Sequence, residues 1–217
     1  MCRPASMIVT KDRVYWSKQT DSHSEIRDEF SLPHETCAQR IKTVAVEIAP
    51  DDGNLARPID EWVYRVDQGE VPKWYDAERD EGRVRAALKD WVAARLVLAG
   101  QEITVFSGES VYVYGGTVKA CGNATVQAWD NATVKAWDNA TVKAWDNATV
   151  EAWDNATVKA YGNATVNAYD NATVGAWERS QVIAFSKLEP TILKSATAVL
   201  IDRSEHGKVR VFVGEEL

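Results

Sequence analysis

The chain has 217 residues, is 45% hydrophobic, and carries 32 acidic against 25 basic side chains for a formal charge of −7. That balance suits one or two small domains that can bury a core, and it excludes a disulfide scaffold, a collagen-like or coiled-coil fibre and a disordered tail. The acidic excess argues against nucleic acid as a partner, since such a surface needs clustered Lys and Arg.

The first hundred residues carry no repeat and alternate between strand and helix signals. Met7–Thr10 and Arg13–Ser17 read as a hairpin around Lys11 and Asp12. Ser22-x-x-Glu25 is a capping box that opens a short helix, limited by Pro33. Ile41–Ile48 alternates through Val44, Val46 and Ile48 and predicts a strand, and Glu61–Val66 predicts a second. Asp76 caps a longer helix whose first turn holds Glu78, Asp80 and Glu81, where the helix dipole favours acids. Its apolar face runs through Val84, Leu88, Trp91 and Leu96. Residues 1–100 are therefore expected to form a small α+β domain that caps the open edge of the C-terminal half.

From Gln101 to Lys187 the chain repeats every eight residues. The central copies read ATVQAWDN, ATVKAWDN (twice), ATVEAWDN, ATVKAYGN and ATVNAYDN, and frayed copies on both sides bring the total to eleven units. So short and regular a period means stacked supersecondary units. Position three is Val or Ile in every copy and position five is Ala or Val, while position four varies. Period-two alternation puts three and five inward and four outward. Positions seven and eight, mostly Asp or Gly and then Asn, are the residues that tolerate positive φ, so they form the corner. Strand–corner units of this kind predict a β-solenoid (a parallel β-helix) with two or three units per coil. Val and Ala would leave a wide coil hollow, which favours two. At ~4.8 Å per coil the rod measures roughly 18–26 Å. Beyond the repeat, Thr191–Ile201 and Val209–Val213 read as strands around an Asp202–Lys208 turn, a short β cap over 188–217.

Position six is aromatic almost throughout: Trp129, Trp137, Trp145, Trp153, Tyr161, Tyr169 and Trp177, continued by Phe185 and broken by Cys121. Strict alternation places this row outside with the lysines, whereas its uniform apolar character suggests burial. Either the strand bends and the rings fill a corner, or they form outer ladders that serve as an interaction surface or a stacking platform for sugars or bases. The seven Asn-Ala-Thr triplets match the glycosylation acceptor pattern, but arise here from a corner Asn meeting the next Thr.

No catalytic residues stand out. P-loop, dinucleotide, zincin and nucleophile-elbow motifs are missing from the sequence, so no cofactor is expected and nothing argues for an enzyme. Cys2, Cys37 and Cys121 are widely spaced, form no C-x-x-C pair and suit a reducing cytosol, and no metal ligands are expected from such spacing. Met1–Thr10 lacks the apolar run of a signal peptide and no stretch approaches ~18 apolar residues, so the expectation is a cytoplasmic or phage-associated protein without a membrane partner. An alternative site in the first domain is Asp21, His23, Asp67, Trp74 and Tyr75, polar and aromatic groups in loops, where function often sits. The two functional expectations are a non-enzymatic scaffold that meets a protein partner or another copy of itself as a homodimer, and an N-terminal domain that binds or processes a nucleotide or sugar.

The segments Thr20-Asp21-Ser22-His23, Trp62–Gln68 and Val71–Asp76 resemble uncharacterised proteins of actinobacteria and their phages, in which such a domain precedes a Thr-Val repeat. The similarity covers most of residues 7–120. It implies a bacterial or phage source and transfers no functional residue.

Overall fold

The structure, a computed structural model, describes residues 3–34, 41–186, 192–193, 195, 197–206 and 208–214. It divides into two compact units, Met1–Arg95 and Leu96–Leu217.

In the first unit, β1 (Ser6–Thr10) and β2 (Val14–Tyr15) form the hairpin read from the sequence, with Ile8 opposite Tyr15. Strand β3 (Thr43–Ala49) pairs antiparallel with β1, and β4 (Val63–Val66) pairs with β3, giving the order β2-β1-β3-β4. Because β3 is central, both its faces are dry. On one, Ile8 and Ala45 pack against Ile26 of α1 (His23–Glu29). On the other, Met7, Val9, Val44, Val46 and Ile48 are fully buried. Helix α2 (Ala77–Arg95) runs beside β1 and β2 and buries Val84, Leu88 and Trp91, the last edge-on to Trp62. The helix starts where the sequence puts it: the Asp76 carboxylate accepts the Arg79 amide, and Asp80 accepts the Asp76 amide. It stops earlier than its apolar spacing suggests. Leu96 belongs to a strand, not to the helix face, because Leu96–Leu98 hydrogen-bonds to Tyr112–Tyr114. The tertiary ladder overrides the local 3.6-residue period there.

The second unit is a β-solenoid of about six turns between residues 96 and 202. Its strands alternate between two parallel sheets. One contains β5 (Leu96–Leu98), β7 (Ser110–Tyr114), β9 (Thr125–Trp129), β11 (Thr141–Ala144), β13 (Thr157–Ala160), β15 (Thr173–Ala176) and β17 (Ile192–Leu193). The other contains β6 (Glu102–Val105), β8 (Thr117–Ala120), β10 (Thr133–Ala136), β12 (Thr149–Ala152), β14 (Thr165–Ala168), β16 (Gln181–Ala184), β18 (Val199–Asp202) and β19 (Arg210–Val213). Val134 pairs with Val150 and Val142 with Val158, so a coil is sixteen residues, two octads. Six turns at ~4.8 Å span roughly 29 Å, longer than expected because the stack begins before Gln101 and continues after Lys187. The predicted strand Thr191–Ile201 is accordingly two strands, β17 in one sheet and β18 in the other, with Thr191 itself outside the described residues. Among the described strands of this unit, β19 alone turns back, antiparallel on β18.

The core is a column of methyl groups. Val126, Val134, Val142, Val150 and their successors are fully buried, as are the Ala residues of positions five and one, such as Ala136 and Ala140. The two sheets meet at small side chains, and Ser180, in an Ala position, satisfies its buried hydroxyl by donating to the Trp177 carbonyl. At Gly116 even Ala fails: a Cβ would stand 2.7 Å from both the Leu98 oxygen and Val97 Cγ1. The corner is left-handed at position seven, with φ between 51° and 58° at Asp130, Asp138, Asp146, Asp154, Asp170 and Glu178. Asp is among the few residues other than Gly that take this left-handed conformation at modest cost. Five of these six carboxylates accept from the amide sixteen residues earlier, among them Asp138 from Gly122, Asp154 from Asp138, and Glu178 from Gly162.

Candidate functional site

Two regions hold the residues singled out by the sequence. The first is the outer surface of the solenoid. Residues at positions two, four and six of an extended strand share the face opposite the core, so each sheet presents parallel rows of Thr, variable and aromatic side chains. Of the two placements open to the aromatics, the structure has the outer one. Trp129, Trp145, Tyr161 and Trp177 stack with centroids 4.7–5.6 Å apart and planes within 17°. Tyr114 extends this ladder below Trp129 at 4.9 Å. On the other edge Trp137, Trp153, Tyr169 and Phe185 stack at 4.7–5.3 Å. The spacing is that of neighbouring strands, so in-register pairing alone sets ring on ring.

These rings are half-buried because they lean over their own strand. At Gly175 a Cβ would lie 2.6 Å from Trp177 Cη2, so the indole covers position four. Cys121 occupies the place below Trp137 and ends that ladder, which leaves Phe106 61% exposed. Cys2 and Cys37 lie outside the described residues. The Thr rows are continuous, Thr117 to Thr165 in one sheet and Thr125 to Thr173 in the other. Between Thr and aromatic rows, Lys135 pairs with Glu151 at 3.2 Å and Lys119 with Glu102 at 2.7 Å, while Lys143 and Lys159 stand in register. The Lys119 ammonium holds the exposed Glu102 carboxyl below its usual range, first by hydrogen bond and then by charge.

The second region is a cleft of about 660 Å³ in the N-terminal unit, lined by His23, Arg27, Thr43, Asp67, Gln68 and Glu70 among others. His23 opens α1. Ser22 caps that helix by accepting the Glu25 amide, and Thr20 bonds both the Ser22 amide and the Glu25 carboxylate. The cap aims the imidazole at the sheet, where Nε2 donates to the Val46 carbonyl at 3.0 Å. Nδ1 then faces Asp67 Oδ2 at 3.2 Å. Asp67 is held at the end of β4 by its amide, which donates to the Ala45 carbonyl.

The alternative site is thus assembled in part. His23 and Asp67 meet, although 44 residues separate them. Asp21 does not join them: its carboxylate accepts from the Ala5 amide and from Arg95 Nη1 at 2.9 Å. Arg95, 1% exposed, also donates to the Ser17 and Thr20 carbonyls and lies over the Trp91 ring. Asp21 therefore anchors the loop before α1 to the end of α2. Trp74 and Tyr75 form a separate cluster in which the Tyr75 and Tyr64 hydroxyls are 3.0 Å apart. Burial, reinforced by that hydrogen bond, raises the Tyr64 phenol well above its usual range.

Sequence reasoning missed Glu47. It is buried in β3, and its Oε1 accepts the Arg3 amide. A carboxylate inside a strand that is dry on both faces was the available signal, because such a charge is retained only when paired or coordinating. One nitrogen or oxygen of each of His23, Glu47 and Asp67 lies within 4.8 Å of the others. Among the described residues no helix is long and apolar enough to cross a membrane.

No protein-family model matches the chain, and neither curated proteins nor solved structures yield a match. The resemblance noted for residues 7–120 rests on those residues alone.

Proposed function

We propose that this protein is a non-enzymatic scaffold of bacterial or phage origin whose solenoid meets a second copy of the same chain. The observation that carries the reading is the pair of aromatic ladders, continuous over several coils and half-exposed beside uncharged Thr rows. An apolar strip of that extent on a soluble protein ordinarily marks a contact surface. A second copy is favoured over an unrelated partner by β19. It ends the eight-stranded sheet, and Val211, Phe212 and Val213 are 45–62% exposed. Two β19 strands related by a two-fold axis would bring the same exposed Val211, Phe212 and Val213 of each copy together, the self-complementarity a two-fold interface requires.

Sedimentation equilibrium tests the reading. The wild-type mass rises with concentration from the 24.1 kDa monomer towards twice that value. Trp145→Thr with Val211→Lys abolishes the rise while the far-ultraviolet β signal is retained. A wild-type chain that stays monomeric across the range overturns the proposal, as does a double variant that associates like the parent.

The alternative, small-molecule binding by the N-terminal unit, is favoured by the His23–Asp67 cleft. It concerns different residues, so the double variant leaves it untouched.

A further inference from the structure

We infer that His23, Glu47 and Asp67 hold a divalent first-row metal ion, of zinc or manganese type, where His23 and Asp67 line the N-terminal cleft. The tautomer comes first. A carbonyl oxygen can only accept, so the Val46 bond places a proton on Nε2 and leaves Nδ1 as the ring nitrogen that faces Asp67. Nδ1 and Asp67 Oδ2, 3.2 Å apart, are both donor atoms of the kind that ligate such an ion. Metal-bound histidines carry this same outer bond to a backbone carbonyl, which orients the ring and increases its basicity.

Charge gives the second argument. Glu47 is buried and Asp67 adjoins it, so the cluster brings two carboxylates to one imidazole. The residue opposite Glu47 in register is Arg65, but its guanidinium is engaged by Asp51. Arg27 lines the cleft and donates to Thr43 Oγ1. A dication bound by one imidazole and two carboxylates makes an electroneutral centre, and it would compensate the buried Glu47 carboxylate.

Geometry and donor type narrow the ion. Metal–donor bonds of ~2.1 Å place neighbouring donors of a tetrahedral centre ~3.4 Å apart, and the His23–Asp67 separation is already close to that. Glu47 is fixed in the sheet, whereas the Asp67 side chain is 52% exposed and can swing the remaining distance. One imidazole with two carboxylates suits zinc, manganese or iron(II) better than calcium or magnesium, which prefer all-oxygen shells. Three protein donors also leave a position open towards the cleft, so water or a small anionic ligand could complete the shell.

The test uses the full chain, stripped with EDTA and titrated calorimetrically with Zn²⁺ and separately with Mn²⁺. The expected result is saturable uptake of one ion per chain. Affinity falls at least about tenfold in Asp67→Asn and in Glu47→Gln, and stays unchanged in Asp154→Asn, which removes a solenoid carboxylate. Zn²⁺ also shifts the His23 Nδ1 resonance in the nitrogen NMR spectrum. Asp67 is half-exposed and its substitution leaves the fold intact, so the test stands even if Glu47→Gln does not fold. Absence of saturable binding of either ion, or wild-type affinity in Asp67→Asn, overturns the inference.

Discussion

The two units solve the same problem with opposite means. The solenoid buries one small kit of parts, Val and Ala, in repeated identical surroundings, and its ionic groups stay on the outer face or at the corners. The N-terminal unit buries a varied core of Trp62, Trp91, Met7 and Ile26, and with it Asp80, Arg95, Glu47 and His23. Where every coil supplies the same contacts, stability is nearly a sum over coils and no residue is singular. Where charges are buried, individual side chains become indispensable, and chemistry has a place to reside.

The largest effect should come from Arg95. Arg95→Ala strips Asp21 and two carbonyls of their buried donor and should cost the N-terminal unit about 3–5 kcal/mol. Helical circular dichroism, which reports α1 and α2, should melt early, while hydrogen-exchange protection of the solenoid strands persists. Simultaneous loss of both would erase the contrast between the units.

Asp80 is next. Burial alone would raise its carboxyl, but Arg79, the Asp76 amide and Arg83 donate to it and hold it below the ordinary range. A depressed folded-state value means that the stabilisation is full above the unfolded value near 3.9 and is lost as pH falls through the folded value. Arg83 also donates to the Thr10 carbonyl, tying α2 to β1. Asp80→Asn should therefore cost about 2–3 kcal/mol at neutral pH, less than for a fully buried pair because Arg79 is half-exposed. Its deficit should shrink in acid titrations below about pH 4. A deficit independent of pH would assign the loss to packing.

A smaller change sharpens the repeat side. Val142→Ala and Val158→Ala should each cost about 2 kcal/mol and agree within about 0.5 kcal/mol in urea denaturation, because their surroundings are the same. Val44→Ala and Val46→Ala in the first unit should not agree. The smallest effect falls at the corner. Asp154→Asn keeps both an acceptor for the Asp138 amide and tolerance of positive φ, and should stay within about 0.5 kcal/mol. Asp154→Ala loses both and should cost about 1–2 kcal/mol, read by the same denaturation.

Legibility followed the same divide. Inward Val and Ala and the left-handed corner could be read because each is restated in copy after copy, whereas the octad period alone left two or three units per coil open and the smallness of Val and Ala only favoured two. The inward role of the first Ala could not, since it precedes the strand and small residues fit either face. Nor could the strand character of Leu96–Leu98, where a helical period runs directly into a sheet ladder, or the division of Thr191–Ile201 between sheets. In the first unit, Ser22 and Asp76 announced their helices by local chemistry. The meeting of His23 with Asp67, the exclusion of Asp21 and the addition of Glu47 depend on strand pairing across tens of residues, which no local pattern records.

Cross-linking tests the sixteen-residue coil most directly. In a chain whose native cysteines are replaced by Ser, Lys143→Cys with Lys159→Cys puts two outward thiols on adjacent strands, within the ~4.4–6.8 Å Cα separation a disulfide spans. Mild oxidation should close this pair within a single chain, and should leave Lys135→Cys with Lys159→Cys, twenty-four residues apart and on different sheets, reduced. Closure of the second pair and not the first would mean three octads per coil and would contradict the two-sheet column.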